Sequence, residues 1–327
     1  MEGFEEFGAM QPDIVSMGEP LLEFNAEEEG SLAEVRRFLM GWGGDTSNFA
    51  VAAARLGARA GYVTRLGCDE FGECFLRLWE QEGVDASRVE RDPEAPTGIY
   101  FISRKGKEHF FTYYRAGSAA SRMRPEDLPL DYIRGARLFH ASGISQAIST
   151  SACDAVFEAM RAAKDAGVLI SYDPNLRLRL WPLERARAVI HRAGAIADIL
   201  LPSLEDARAL TGVSEPEEIA RFYLELGPKV VVLKLGAEGA LLATSQGMSR
   251  IPPYSVEVLD TSGAGDAFDA AFAVGYLAGW DLERCGRFAN AAGALTATGL
   301  GVVGSIPRLE EVEALVGRGE VRGQLRP

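Results

Sequence analysis

Short apolar runs alternate with longer amphipathic stretches along most of this 327-residue chain. Asp13 to Met17, Ala60 to Leu66, Leu138 to Ala141, Leu169 to Tyr172, Ile199 to Pro202, Val230 to Lys234 and Ala240 to Ala243 read as strands. Ser47 to Leu56, Gly72 to Glu82, Cys153 to Ala166, Ala267 to Ala278 and Leu282 to Thr298 read as helices. Such alternation predicts βα units wrapped around a mainly parallel sheet with helices on both faces. Two stretches break the rhythm. Leu21 to Trp42 carries the acidic turn Glu27-Glu28-Glu29-Gly30 and has no helix period. Thr97 to Ala116 reads as a hairpin, Ile99 to Ser103 and Phe110 to Tyr114, turning at Lys105-Gly106-Lys107. The economical arrangement is a single α/β domain over 1–327, with a small β-sheet lid built from two insertions at 20–42 and 97–118.

Charge and composition narrow the partners. The net charge is −13, and a field of that sign repels a nucleic-acid backbone. No apolar run is long enough to cross a bilayer, and the acidic start, Met1 to Pro12, lacks the pattern of a secretory signal. Cys68, Cys74, Cys153 and Cys285 are too scattered for a disulfide framework or a zinc site, so reduced thiols and a cytoplasmic location are expected.

The segment most charged with chemistry is Asp260-Thr261-Ser262-Gly263-Ala264-Gly265-Asp266-Ala267-Phe268. Small residues opening a helix leave its first N–H groups free to face an anion, and the helix dipole adds to the attraction. Asp266 sits in that turn, where a carboxylate beside phosphate is costly unless it accepts a proton from an attacking hydroxyl. A second segment, Gly41-Trp42-Gly43-Gly44-Asp45-Thr46-Ser47-Asn48, pairs a glycine turn with polar groups suited to a polyhydroxylated ligand.

These two segments resemble the two signatures of the ribokinase-like sugar kinases, the phosphofructokinase-B family. The first continues through Arg65-Leu66-Gly67-Cys68-Asp69-Glu70-Phe71-Gly72, and the likeness spans Asp13 to Pro307. The resemblance implies a three-layer α/β/α domain that phosphorylates a sugar hydroxyl with ATP and magnesium. It makes Asp266 the catalytic base, and the N–H groups of Gly263, Ala264 and Gly265 the anion hole. It assigns Ser203, Lys234, Gly236, Gly239, Gly263, Gly265 and Asn290 to ATP, and Thr261 to the substrate edge. Where the family often has Asn-x-x-Glu to organise magnesium, this chain has Ser203-Leu204-Glu205-Asp206, so Asp206 or Glu205 would act through water. A potassium site at Asp260, Ser262, Gly301 and Ser305 is an option the family offers. A homodimer through the lid is its usual assembly.

Three further segments resemble the 2-keto-3-deoxygluconate kinases within that family: Tyr113 to Ser121, His140 to Ser149, and Asp173-Pro174-Asn175-Leu176-Arg177 with Trp181. That substrate carries a carboxylate, which the planar fork of arginine suits. The resemblance places Gly43, Gly44, Asn48, Tyr100, Tyr113, Arg115 and Arg177 around it. The Asp173 to Arg177 run also resembles fructokinases, so fructose is the alternative. A catalytically silent sugar-acid-binding homologue is the remote one. Gly299-Leu300-Gly301-Val302-Val303-Gly304 fits a dinucleotide-binding pattern, but no strand is expected before it and no helix after it. His140 ends an apolar strand and reads as a buried structural histidine.

Overall fold

The computed structural model describes residues 11–106 and 108–324. The chain start discussed above, up to Met10, and Lys107 of the hairpin turn lie outside the described residues. The first strand, β1 (Ile14–Met17), leads to β2 (Leu21–Ala26) and β3 (Phe38–Gly43). After the helix Asp45–Arg55 come β4 (Ala60–Val63), β5 (Arg65–Gly67), the helix Glu70–Glu82 and β6 (Glu90–Asp92). The hairpin is β7 (Ile99–Lys105) and β8 (Glu108–Tyr114). Then follow β9 (Leu138–Ser142), β10 (Leu169–Asp173), β11 (Ile199–Leu200), β12 (Val230–Lys234), β13 (Ala240–Thr244) and β14 (Gly247–Ile251).

The large sheet runs β14-β13-β12-β11-β10-β9-β1-β4, parallel from β4 to β12, with β13 and β14 added as an antiparallel edge. Its inner strands are buried almost throughout, which is why they read as unbroken apolar runs. One face packs on the helices Thr150–Asp165 and Leu183–Ile196, the other on Asp45–Arg55, Ala264–Leu277 and Leu282–Thr296. Ligands of such sheets bind at the carboxyl ends of the parallel strands. Here those ends carry Gly18 and Glu19, Ser142, Asp173 and Lys234.

The four-stranded second sheet, ordered β3-β2-β7-β8, is drawn from the two stretches that break the βα rhythm. Leu22 and Phe24 pack with Phe71 and Phe75 of the main domain, while Leu39, Met40, Phe110 and Tyr114 stay exposed. The expected strand Ala60 to Leu66 divides at Thr64, whose hydroxyl donates to the Gly18 carbonyl (2.6 Å); β5 then pairs with β6 in a separate ribbon. The expected helix Ala267 to Ala278 begins three residues earlier, at Ala264, so Asp266 lies in its first turn rather than before it. No strand precedes Gly299, but a four-residue helical turn, Val302–Ser305, does open within that glycine run. No helix among the described residues is long and apolar enough to cross a membrane.

Candidate active site

The helix Ala264–Leu277 starts from Gly263, which is left-handed (φ 75°); a Cβ there would run into Val302. Alanines along this helix allow close contact with Asp45–Arg55, and that contact sets two first turns against each other. Across it Asn48 donates from Nδ2 to Asp266 Oδ2 (2.7 Å). Burial, the Asp45 charge and the Asp173 charge together push the Asp266 carboxyl up to about 7, while the Asn48 bond and Lys234 pull the other way. Such a group changes protonation near neutral pH, as a general base should.

Asp45, which the sequence offers only as one of several polar groups after the glycine turn, has a position of its own in the site. Its carboxylate takes the Thr46 N–H (2.8 Å), the Asn175 amide (2.9 Å) and the Ser142 hydroxyl. It therefore ties the start of one helix to the ends of β9 and β10. Asn175 holds φ at 32°, an uncommon conformation for a side-chain-bearing residue, to present that amide. Gly44 is also left-handed (φ 100°), and a Cβ there would strike the Glu19 carbonyl. Replacing Asp45 with Asn removes a charge that holds Asp266 up. The acid limb of kcat/KM should then move below pH 7 by about one unit, read from a pH–rate profile.

Lys234 sits at the end of β12 with Nζ bonded to Asp173 (3.1 Å) and to both oxygens of Asp269 (2.9 and 3.0 Å). Asp269 lies one turn beyond Asp266 on the same helix. Burial and Asp173 raise the Asp269 carboxyl; burial opposes ionisation of Asp173 too, but the Lys234 charge and the hydrogen bonds from Asp269 and Lys234 together leave that group lowered. A Cβ on Gly265 would come 3.7 Å from the ammonium, so the cation lies just behind the glycine turn.

Beside that turn opens a cleft of about 750 Å³. Of the residues expected to meet ATP, Lys234, Gly236, Gly239, Gly265 and Asn290 line it, with Thr261, Ala264, Val256 and Phe268. Asn290 spends its amide N–H groups on the carbonyls of Ile251 (3.2 Å) and Pro252 (3.0 Å), fixing the exit from β14. Ser203 caps the helix Leu204–Thr211 through Asp206 N–H (3.1 Å) and is bridged to Lys234 along the strand direction. Of the three amides expected in the anion hole, that of Ala264 donates to the Thr261 carbonyl (3.2 Å). It closes a turn and so is not offered to the cleft.

Tyr100 and Tyr113 stack side by side on one face of the second sheet, 5.4 Å between ring centres. Tyr100 is buried and donates its hydroxyl to Glu23, and Gly43 has no room for a Cβ beneath that hydroxyl. Arg115 differs from expectation. Its guanidinium pairs with Glu19, buried at the exit of β1, which also accepts from the Ser118 hydroxyl. A buried carboxylate at this point leaves Arg115 committed within the chain. Arg177 is exposed; its hydrogen bond goes to the neighbouring Leu176 carbonyl (2.9 Å), and its charge reaches Asp45 and Asp206. Arg179, unremarked in the sequence, donates to the Phe111 carbonyl of β8 (3.3 Å), joining the second sheet to the loop after β10.

Asp206 accepts the Leu176 N–H (3.2 Å) and is raised by burial and by Asp173, whereas Glu205 points to solvent. The described residues contain no cluster of three or more metal-binding side chains. Asp260 accepts the Ser262 N–H (2.9 Å), and Ser305 donates to the Gly301 carbonyl (2.7 Å); each pair closes within its own segment. His140 is buried, stacked on Phe49 and bonded to Ser171 (3.1 Å), with burial pushing it down to about 3, so it is no base.

The model of the pfkB family carbohydrate kinases matches residues 11–309. The chain belongs to the pfkB family. It is therefore a carbohydrate kinase, a phosphotransferase acting on an alcohol group. The 2-dehydro-3-deoxygluconokinase of Thermoproteus tenax is 39% identical over 93% of this chain and 94% of its own. A probable fructokinase-4 of Arabidopsis thaliana is 37% identical over 93% and 96%. Among solved structures, a putative ribokinase II from E. coli in complex with ATP and Mg2+ superposes with a TM-score of 0.87. It is 28% identical and covers 94% of this pfkB kinase and 99% of its own chain.

Proposed function

We propose that the protein transfers the γ-phosphate of ATP to the terminal hydroxyl of 2-keto-3-deoxygluconate. The observation that carries the substrate choice is Arg177, an exposed guanidinium that donates to its neighbour's carbonyl and whose charge reaches Asp45 and Asp206 beside Asp266. A neutral sugar gives such a cation nothing to pair with; a sugar acid does. Arg115 contributes only when Glu19 is shared or protonated. Burial raises the Glu19 carboxyl, the direction that favours its neutral form.

Asp266 takes the proton of the hydroxyl, held in place by Asn48. The freed oxygen attacks the γ-phosphorus in line and the bond to the leaving ADP breaks. The Gly265 N–H, the helix end and the Lys234 charge behind Gly265 would meet the developing negative charge; Gly263, expected to share that role, does not line the cleft. Apolar walls formed by Val256, Phe268 and Ala297 suit an adenine. Magnesium, when bound, offsets phosphate charge. Asp206 fits a water-mediated role: it is set among Asp173 and Arg177 with no further acids to form a cage, as suits an ion that keeps its waters and rides on phosphates.

A substrate panel with magnesium-ATP tests this reading. 2-Keto-3-deoxygluconate should be turned over with a higher kcat/KM than fructose, ribose or adenosine. Arg177→Met should raise KM for the sugar acid about tenfold or more and leave any fructose rate unchanged. Fructose as the better substrate would give the fructokinase reading the site, in line with the identity shared with the Arabidopsis relative.

A further inference from the structure

The helix Asp45–Arg55 touches the site at its first turn, where Asn48 bonds Asp266, and ends about 15 Å further on at Arg55. The Arg55 side chain is 10% exposed and that of its partner Glu82 is 12% exposed. Glu82 accepts from Nε (2.8 Å) and Nη2 (2.7 Å), a two-pronged pair that holds its carboxyl below the usual range. Nη1 donates instead to the carbonyls of Val303 (2.7 Å) and Ile306 (2.5 Å). Among the described residues, the hydrogen bonds that tie residues 300–306 to another element both come from Arg55.

Those carbonyls belong to the helical turn Val302–Ser305 and the residue after it. Val302 is buried, and its side chain fills the space that a Cβ on Gly263 would need. Gly263 is the left-handed residue from which the helix of Asp266 starts. Val303 is buried with Leu22 of β2, Trp42 of β3 packs on the same cluster, and the turn itself touches β3. The turn thus braces the start of the Asp266 helix on one side and the second sheet on the other. Gly299, Gly301 and Gly304 give this stretch more backbone freedom than most, and Gly301 is left-handed (φ 76°), so its shape has to be imposed.

We infer that Arg55 is a positioning residue for phosphoryl transfer: it fixes the Val302–Ser305 turn, and through Val302 it sets the Gly263 start of the helix that aims Asp266. The inference rests on the reading that transfer takes place at the turn before Asp266. Arginine suits the task and lysine does not, because one ammonium cannot serve a carboxylate and two carbonyls at once in a fixed plane. Glu82 binds the other edge of the guanidinium and makes no bond to the turn, so it supports the burial of the charge. Phosphoryl transfer depends mostly on placement, so a shift of the helix start by about 1 Å is costly to turnover.

Steady-state kinetics on Arg55→Lys, Val302→Ala, Glu82→Gln and Asp266→Asn test this, with circular dichroism confirming that each is folded at the assay temperature. Arg55→Lys should lower kcat about tenfold or more with KM for the sugar changed less than about twofold, and Val302→Ala should act in the same sense. Glu82→Gln should melt lower yet keep kcat within about twofold of the parent, because the two carbonyl bonds remain. Arg55→Lys combined with Val302→Ala should be no slower than the slower single variant, since both act through one turn. Parent-like kcat in Arg55→Lys or multiplying losses in the double variant overturns the inference. Glu82→Gln as slow as Arg55→Lys overturns it too, by reducing the effect to lost packing. Where Arg55→Lys does not fold, Val302→Ala decides, and a parent-like kcat there is equally fatal. Turnover retained by Asp266→Asn removes instead the site on which the inference rests.

Discussion

Asp266→Asn should lower kcat by about a thousandfold while KM for the sugar changes little, and the same substitution should raise the melting temperature. The two effects share one cause. Asp266 is held up to about 7 by burial, by Asp45 and by Asp173. Its folded-state pKa lies above the value of 3.8 for an unperturbed Asp, so between those values the folded chain binds more protons than the unfolded one. Stability therefore falls as pH rises through that window, and at pH 8 the protein carries an ionised, crowded carboxylate. Asparagine removes the charge and can still accept from Asn48 through its amide oxygen, so folding gains what catalysis loses. In the parent, kcat/KM should fall tenfold per pH unit below about 7, where Asp266 is protonated. Steady-state kinetics across pH and calorimetric melting at pH 8 check both halves. An active Asn variant removes Asp266 as base; an inactive variant that melts lower removes the electrostatic explanation of its shifted proton affinity.

The parts of this site legible in sequence are those whose physical demand is local. A glycine that must be left-handed, small residues opening a helix and a carboxylate in its first turn all sit within Asp260 to Phe268. The Gly43-Gly44 turn is of the same kind. What sequence reasoning missed arises from pairing across the fold. Asp45 acquires its meaning from Ser142, Asn175 and Asp266 on other elements, and a lone acid at a helix start reads as a dipole complement. Arg115 looked available because Glu19, almost a hundred positions away, offered no sign of facing it. The fold shows the same division. Strands buried on both faces stood out as apolar runs, whereas β14, an exposed edge strand reading Gly-Met-Ser-Arg-Ile, did not. The amphipathic helices Leu183–Ile196 and Pro216–Leu226 show less in the sequence than the apolar strands on either side, because only one face of each is buried.

Lys234→Met should destabilise the protein by about 3–5 kcal/mol, because it leaves Asp173 and Asp269 facing each other in a buried site without their cation. Lys234 holds Asp173 below the usual carboxylate range despite its burial, while the Asp269 carboxyl is already raised. Without the ammonium both carboxyls rise, and the folded variant retains protons that the unfolded chain releases above about pH 4. The deficit relative to the parent should therefore be larger at pH 8 than at pH 5. Adding Asp269→Asn to Lys234→Met should recover part of the loss, since the double variant buries one uncompensated acid instead of two. Asp269→Asn alone should cost less than Lys234→Met, because Lys234 keeps Asp173. Turnover separates support from mere packing. The triad fixes the helix that carries Asp266 and places positive charge behind Gly265, so the double variant should remain slow even where it is stable. Chemical denaturation of the three variants at the two pH values, with kcat measured alongside, tests the whole set. A Lys234→Met loss that does not depend on pH would show that its ammonium is not what keeps Asp173 ionised.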